Sequence, residues 1–393
     1  MPRFEPFVGI RFASTLEPAS VTAPPYDVIS ATDRAELVDR APTNVVQIDL
    51  PIDTDDPYGA AARRFTAWRA DGVLVDDPSP SFTVYRMETT DPDGRVRHTT
   101  GVIGALELSR PGEGDILPHE FTTPKAKSDR LDLLRSTRSN LSPVWGLSPA
   151  HGLTALLETS EEPLCRFRVD EVTHTVWRVS DPTRLAAISD AVGSAPVVIA
   201  DGHHRYETSL AYRDERRHVD GEGGTADSVM TFVVELVEDE LDVGAIHRLV
   251  AGLTDRTTLS TTLAECFDIG PVETGPLPTI GHLQDIGAMA LVIPEGWQRL
   301  IPTPDTITRA RDLDSSRLDL ALSRLPDHEL IYQHGIDHVQ SAVRSGAAQA
   351  GFLLRPVTVG QILEIAEGGE KMPPKSTFFA PKPRTGIVFR SME

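Results

Sequence analysis

An apolar run that ends in a polar turn most constrains how this chain can fold. Residues 196–200, PVVIA, have the composition of a buried strand and pass directly into Asp201 and Gly202, after which a helical pattern begins at about His203. Glycine tolerates a positive φ and close backbone approach, so Gly202 suits a tight turn. The sequence therefore predicts a buried strand that meets the start of a helix at the ADGHHR motif, residues 200–205.

Strand and helix patterns alternate along the chain without a regular βαβ series. The predicted elements include a hairpin over 82–108, a strand pair over 166–180, a helix over 181–193 and a strand over 227–237, with short helices and strands alternating from about 251. We predict a mixed α and β (α+β) fold rather than a doubly wound parallel sheet. The length of 393 residues favours two or three domains, which we place at 1–110, 111–250 and 251–393.

The charge balance limits the classes of partner. The chain has 58 acidic and 38 basic residues, a net charge of −20, which opposes broad nucleic-acid binding and docking to anionic membranes. The N-terminal segment lacks the apolar core of a signal peptide, and no apolar run approaches the ~20 residues that span a bilayer. Cys165 and Cys266 lie far apart and are expected to be reduced thiols. We expect a cytoplasmic protein whose partners are small molecules, anionic ligands included.

Three alternatives compete for the ADGHHR motif: a metal site, a phosphate-binding turn and a capped helix start. The first N–H groups of a helix lack intrahelical partners and bind phosphate, and Arg205 could hold the same anion. Asp201 could bind Mg²⁺ beside it or orient a histidine, or it could simply cap the helix. Zinc is less favoured, because His203 and His204 point about 100° apart whereas the usual helical ligand pair is i, i+4. We favour the phosphate-binding turn.

A basic cluster at 117–140 runs against the acidic balance of the chain. It contains Lys125, Lys127, Arg130, Arg135 and Arg138, with a helical pattern from Ser128. For any single cation here a solvated face paired with carboxylates is the favoured interpretation. For the cluster as a whole we favour an anion pocket.

His119 and Glu120 precede this cluster on a predicted loop. Glu120 is a candidate general base, because a carboxylate within reach of a hydroxyl can accept its proton during attack. Phosphoryl transfer depends mostly on positioning and charge neutralisation, so one base and several cations are sufficient.

Further pocket candidates lie elsewhere in the chain. Asp27 follows the rigid Pro24-Pro25-Tyr26 turn, where a turn-stabilising role is about as plausible as ligand contact. His247 and Arg248 end an apolar segment and could face the same cleft. Lys375 lies in a Pro- and Lys-rich stretch that either closes over a ligand or packs as a docked tail.

Five motifs together resemble a bacterial family, domain of unknown function family 1015. They are PPYDVI (24–29), LPHEFTTPKAKSDRLDLLR (117–135), IADGHHRYET (199–208), HRLV (247–250) and MPPKSTFFAPKPRTGIVF (372–389). Because the motifs extend from near the first residues to the last, the resemblance covers essentially the whole chain.

The order of PHE, a basic helix and a strand entering DGHHR is also similar to free-serine kinases of the ParB/sulfiredoxin fold. This resemblance implies a ParB/sulfiredoxin-like core within 111–250, flanked by additional α/β domains. It implies that Glu120 activates the serine hydroxyl, and that Asp201, His203, His204 and Arg205 belong to a turn that holds nucleotide phosphates and helps to organise Mg²⁺. Residues 141–180 intervene where those kinases have a shorter connection, so the substrate stays open.

The leading hypothesis is a small-molecule kinase or related phosphotransferase that uses Mg²⁺ with ATP or ADP, with serine as the first acceptor to test. Glu120, Asp201 and His203 would be catalytic, and the phosphate-binding set would be Gly202, His204, Arg205, Lys125, Lys127 and Arg130. One alternative is a ParB-like regulatory protein that binds a nucleotide without turnover. Another is a metal-dependent hydrolase that uses the two histidines.

Overall fold

The computed structural model describes residues 1–52, 55–90, 94–118, 125–237, 241–253, 256–368, 372–373 and 375–393. Contacts divide the chain into two units. The first comprises Met1–Asp242, Ala366–Gly369 and Pro381–Glu393, and the second comprises Val243–Ile365 and Glu370–Ala380. Strands from 1–110 and from 111–250 share one sheet in the first unit. The domain borders predicted after residues 110 and 250 concern independently folding domains, and they stay a prediction.

The first unit contains thirteen strands among the described residues. They are β1 (Phe4–Glu5), β2 (Gly9–Phe12), β3 (Leu74–Asp76), β4 (Phe82–Thr90), β5 (Val96–Glu107), β6 (Ile116–Pro118), β7 (Ser139–Asn140), β8 (Val144–Ser148), β9 (Cys165–Val169), β10 (Val172–Val179), β11 (Val197–Asp201), β12 (Ser228–Glu235) and, from the C-terminal segment, β21 (Phe389–Ser391). Its described helices are α1 (Pro18–Val21), α2 (Ala31–Arg40), α3 (Val46–Asp49), α4 (Pro57–Ala70), α5 (Lys125–Thr137), α6 (Leu153–Leu157), α7 (Pro182–Gly193) and α8 (His203–Asp220).

The second unit has its own helices and strands. Its described strands are β13 (Asp242–Ala245), β14 (His247–Ala251), β15 (Phe267–Ile269), β16 (Met289–Ile293), β17 (Gly296–Pro302), β18 (Glu329–Gln333), β19 (Ala350–Leu353) and β20 (Thr377–Ala380). Its described helices are α9 (Arg256–Ala264), α10 (Ile280–Asp285), α11 (Pro304–Arg309), α12 (Asp314–Leu322), α13 (Ile336–Arg344) and α14 (Val359–Glu367). No helix in the described part of the chain is long and apolar enough to cross a membrane.

A mixed nine-stranded sheet, counted over the described residues, carries the first unit. Its order is β6-β11-β8-β12-β5-β4-β10-β9, and β1 pairs with β5. The β6–β11 and β8–β12 pairs are parallel and the other pairs are antiparallel. The predicted mixed α and β fold is therefore confirmed, as are the hairpin β4–β5 and the strand pair β9–β10.

β11 is the buried strand that the apolar run predicted. Val197, Val198 and Ile199 are each at most 1% exposed although successive side chains point to opposite faces. Both faces of the strand are therefore covered, which explains why it reads as a continuous apolar run rather than an alternating one. Burying each such side chain contributes about 1.5–3 kcal/mol.

The C-terminal segment from Pro381 to Glu393 belongs to the first unit. β21 pairs with β2 on one side and with β7 on the other, so it is an interior strand of the sheet β3-β2-β21-β7. Phe389 is fully buried, and the guanidinium of Arg384 donates to the side chain and carbonyl of Thr22 at 3.0 and 3.1 Å.

The second unit is built on a separate antiparallel sheet. Six strands, counted over the described residues, follow the order β15-β17-β16-β19-β14-β18, and β13 pairs with β20. α13 packs against this sheet, with Val339 and Val343 buried beside Leu249.

Candidate functional site

A β-bulge and a glycine shape the turn between β11 and α8. The register of β11 against β8 shifts between Ile199 and Asp201, and a bulge of this kind re-aims the side chain that follows it. Gly202 is the N-cap of α8 and has φ +88°, a backbone conformation that residues with a side chain rarely adopt. A Cβ at Gly202 would also lie 3.0 Å from Cζ of Arg205. The turn therefore requires glycine for its backbone and for the side chain that packs over it.

Asp201 is held by two cations rather than used as a helix cap. α8 has no side-chain cap, which removes the plain capping interpretation. Oδ2 of Asp201 accepts from Nη2 of Arg205 at 2.6 Å, and Oδ1 accepts from Nζ of Lys382. Burial raises the pKa of Asp201, but the charges of Lys382 and Arg205 outweigh it, so that its pKa lies below the ordinary value. The carboxylate is ionised throughout the physiological pH range.

Lys382 joins two of the predicted site residues. Besides Asp201, its ammonium contacts Oδ2 of Asp27 at 3.2 Å, and the side chain is only 12% exposed. Burial lowers the pKa of Lys382, but Asp201 and Asp27 raise it by more, so the ammonium stays charged. The structure thus brings Asp27, for which ligand contact was one of two alternatives, to the turn through a lysine that sequence reasoning did not select.

Arg205 and the two histidines occupy the first turn of α8. Nη1 of Arg205 donates to the carbonyl of Pro143, so its two terminal nitrogens are fixed by different parts of the chain. His203 and His204 are half-buried, and His203 lies close enough to Asp201 to lower the pKa of that carboxyl. The predicted residues 201–205 therefore form one local cluster at the start of the helix.

Arg130 forms a second buried ion pair, with Asp49, whose Oδ1 lies 3.4 Å from Nη1 of Arg130. Its Nη1 donates to the carbonyl of Asp49 at 2.6 Å, and its guanidinium lies 4.1 Å from the centre of the Tyr26 ring. Burial raises the pKa of Asp49, and the attraction of Arg130 and Arg205 offsets only part of that effect. Of the basic cluster, Arg130 is buried at the site, whereas Arg135 forms exposed pairs with Asp132 and Glu215.

Arg205 and Arg130 both line a small cavity of about 50 Å³. Its polar lining includes Asp49, Thr208 and Ser209. The Thr208 hydroxyl is buried and makes no hydrogen bond to any group in the described part of the chain. At about 10–15 Å³ per water, the cavity has room for a few water molecules but not for a nucleotide.

Several predicted residues lie outside the described parts of the structure. These are His119 and Glu120, together with the side chains of Lys125 and Lys127. The backbone of α5 begins at Lys125 and not at Ser128, so the helix start was predicted three residues too late. Pro124 directly precedes that start in the sequence, and proline is favoured at the first positions of a helix.

The remaining pocket candidates belong to the second unit. His247 is buried, and its Nδ1 accepts from the backbone N–H of Leu354 at 3.2 Å. The Arg248 guanidinium and the Lys375 ammonium both lie over the ring of Tyr332, at 4.4 and 5.5 Å from its centre. These three residues therefore have partners within their own unit.

Two carboxylates at the turn meet the minimum requirement for a magnesium site. The described residues contain no group of three or more His, Cys, Asp or Glu side chains that could hold a metal ion. Mg²⁺, however, is usually held by one or two carboxylates together with water and substrate phosphates. Asp27 and Asp201 bond a common cation, the Lys382 ammonium, so their carboxylates fit this donor set.

Lys382, Asp49 and Thr208 were missed by the sequence analysis. Lys382 lies inside the quoted motif MPPKSTFFAPKPRTGIVF, which was the available signal, but Lys375 of the same motif was chosen instead. Asp49 and Thr208 carried no local signal, because each is identified only by its position beside Arg130 or Arg205 in the fold.

Comparisons with known proteins agree with the sequence resemblances. A protein-family model, "Protein of unknown function (DUF1015)", matches residues 4–321. A search of curated proteins found no significant match. Similar solved structures include a free serine kinase in complex with AMP, at 15% identity over 70% of this chain and 88% of that chain with a TM-score of 0.39. A conserved hypothetical protein from Pyrococcus furiosus matches at 14% identity over 70% and 90% of the two chains, with a TM-score of 0.39.

A third neighbour is SbnI with a C-terminal truncation, from Staphylococcus aureus. It matches at 14% identity over 72% of this chain and 85% of that chain, with a TM-score of 0.41. The ParB/sulfiredoxin-like core remains a prediction.

Proposed function

Because the chain belongs to DUF1015, a family of proteins of unknown function, its activity has to come from its own site, and we propose that it binds a nucleotide and transfers a phosphoryl group to a small-molecule hydroxyl. The observation that carries this proposal is the convergence of Asp27, Asp201, Arg205 and Lys382 at the start of α8. Serine is the first acceptor to test, because of the sequence resemblance described above.

The start of α8 supports anion binding. α8 has 18 residues, its first N–H groups lack intrahelical partners, and its N-cap glycine leaves them uncovered by a capping side chain. The helix dipole adds a partial positive charge at the same end. Arg205 and Lys382 place two permanent cations beside it, and a planar guanidinium suits a phosphate.

Mg²⁺ would be held by Asp201 together with Asp27. When bound, it would supply charge neutralisation for the phosphate oxygens. The cations of the chain itself, Arg205 and Lys382, would orient the phosphate and stabilise its charge during transfer.

The parallel pair β6–β11 supports the role of Glu120 as the base. Pro118, the last residue of β6, is the register partner of Ile199 in β11. Both strands therefore run towards the same edge of the sheet. In the sequence, Glu120 comes two residues after the end of β6, and Asp201 is the last residue of β11. We propose that Glu120 takes the proton of the acceptor hydroxyl as its oxygen attacks the terminal phosphorus. The bond from that phosphorus to the bridging oxygen breaks, and the shortened nucleotide leaves.

The first test is nucleotide binding by calorimetry, with ADP and ATP, in the presence and absence of Mg²⁺. We expect the wild-type chain to bind, and Arg205→Ala to weaken binding at least tenfold. Arg216→Ala is the matched control: Arg216 is on the same helix, 13 residues after His203, hence about 20 Å further along. Absence of nucleotide binding by the wild-type chain would overturn the proposed function.

The second test is turnover, measured by mass spectrometry with serine and then with a panel of amino acids and metabolites. Loss of a general base costs about 10²–10⁴-fold in rate, so Glu120→Gln should bind the nucleotide normally and lose turnover by that factor. If both proteins bind nucleotide and neither forms a product across the panel, the chain is a nucleotide-binding regulatory protein without turnover.

A further inference from the structure

The ammonium group of Lys382 contacts two carboxylates from distant parts of the sequence. Nζ of Lys382 is 3.2 Å from Oδ2 of Asp27 and also donates to Oδ1 of Asp201. The second oxygen of Asp201 is bound by Arg205. Asp201 is 18% and Lys382 12% exposed, so water screens their interaction only weakly.

The position of this ammonium is chemically that of a metal ion. Carboxylate oxygens on either side of a compact charge are the donors that hard divalent cations prefer. A lysine ammonium is itself a compact, strongly hydrated point charge. We propose that Asp27 and Asp201 form a divalent-cation site that Lys382 occupies in the ligand-free protein, so that Lys382 and a metal compete for the same carboxylates.

The charges at the turn explain why this competition matters. With Lys382 present, two carboxylates face two cations, Lys382 and Arg205. Without the ammonium, Asp27 loses its ion pair with Lys382 and Asp201 keeps its pair with Arg205, so the net negative charge at the turn rises and attracts a divalent cation. In the wild-type chain, a metal ion can bind Asp27 and Asp201 only when another anion binds the Lys382 ammonium in their place. A nucleotide phosphate is such an anion, so metal binding would be coupled to nucleotide binding. This coupling rests on the proposed function.

The test uses Mn²⁺ alone, without nucleotide. Binding is measured by the loss of the electron paramagnetic resonance signal of free Mn²⁺, for the wild-type chain and for Lys382→Met. We expect Lys382→Met to bind Mn²⁺ at least tenfold more tightly, and Asp201→Asn in the same background to abolish that gain. Arg216→Met is the control, because it removes one positive charge from an exposed pair with Asp220 on the same helix. It should change Mn²⁺ affinity less than twofold.

Two outcomes would overturn the inference. The wild-type chain could bind Mn²⁺ as tightly as Lys382→Met, or Lys382→Met could show no gain over the control. If Lys382→Met fails to fold by circular dichroism, Lys382→Gln decides, since it removes the charge but keeps a donor for Asp201. The titration contains no nucleotide, so its result is independent of whether the wild-type chain binds ADP.

Discussion

The ammonium of Lys382 donates a hydrogen bond to the carboxylate of Asp201 across 181 positions of sequence. Asp27, which contacts the same ammonium, comes from near the start of the chain. The candidate site is therefore assembled from three distant segments of one unit, and its stability and ligand binding should be tightly linked.

Replacing Asp201 by Asn should destabilise the first unit. The change leaves Arg205 and Lys382 without their shared negative charge, and breaking a buried pair costs about 3–5 kcal/mol. Because the side chains are slightly exposed and Asn keeps an acceptor, we expect a loss of about 2–3 kcal/mol in unfolding free energy, measured by urea denaturation. Asp220→Asn breaks the exposed pair with Arg216 on the same helix and should cost less than about 1 kcal/mol. Equal losses would contradict the importance of the buried pair.

Replacing Gly202 by Ala should displace Arg205 as well as strain the backbone. Gly152 provides a matched control, because it is also a helix N-cap with φ +88° but has no atom within 4 Å of an added Cβ. We expect Gly152→Ala to cost about 1–2 kcal/mol from the positive φ alone. Gly202→Ala should cost more and should also weaken ADP binding. If thermal unfolding and calorimetry do not distinguish the two variants, the close approach of Arg205 to Gly202 contributes neither to stability nor to ADP binding.

Replacing Thr208 by Val should weaken ligand binding without lowering the stability of the protein. The Thr208 hydroxyl is buried with no hydrogen bond to a described group, so its removal loses no hydrogen bond within the described part of the chain. We expect the melting temperature to stay the same or rise, because a buried polar group without a partner is costly. If the cavity beside Arg205 receives a ligand or an ordered water, ADP or acceptor binding should weaken by up to about tenfold, which is ~1.4 kcal/mol. Ser194→Ala, at an exposed helix end, is the control for both measurements.

Acid should destabilise the first unit through His174. This side chain is 2% exposed, and burial together with the charge of Arg384 lowers its pKa to about 3. In the unfolded chain the pKa is about 6.5, so between these values the unfolded state binds the extra proton and stability falls as pH falls. From pH 7 to pH 5 we expect a loss of about 2 kcal/mol from this group.

Urea denaturation at several pH values, compared between the wild-type chain and His174→Gln, measures this contribution. The Gln variant should show a shallower loss of stability between pH 7 and pH 5. An identical pH dependence would show that His174 is not the group responsible. His247 in the second unit has a pKa lowered to about 4 by burial, and His247→Gln should produce the corresponding change in the transition of that unit.

Local patterns predicted the secondary structure at the turn between β11 and α8. The run from Val197 to Arg205 contains a buried strand, a glycine with positive φ and a helix start, and each has a signature within a few residues. The same holds for the hairpin β4–β5 and the helix α7, whose N-cap Asp181 is the first residue of the predicted helix over 181–193. These elements depend on propensity and periodicity, which adjacent residues determine.

Long-range partners could not be predicted in the same way. Lys375 and Lys382 belong to one motif, and only the fold shows that the first lies over Tyr332 in the second unit while the second contacts Asp201 in the first. The chain passes between units at about Pro381, and nothing in the local composition marks that crossing. Tertiary structure, and not the local sequence, thus determines which of these two lysines lies at the candidate site.

The interior position of β21 has a consequence for biosynthesis. β2 and β7 are made early in translation, yet the strand that lies between them ends only at Ser391. Until that segment emerges from the ribosome, both strands present unpaired edges, which are prone to incorrect pairing. The same delay keeps Lys382 away from Asp27 and Asp201, so a growing chain would carry the incomplete site while the 181 positions from Asp201 to Lys382 are made.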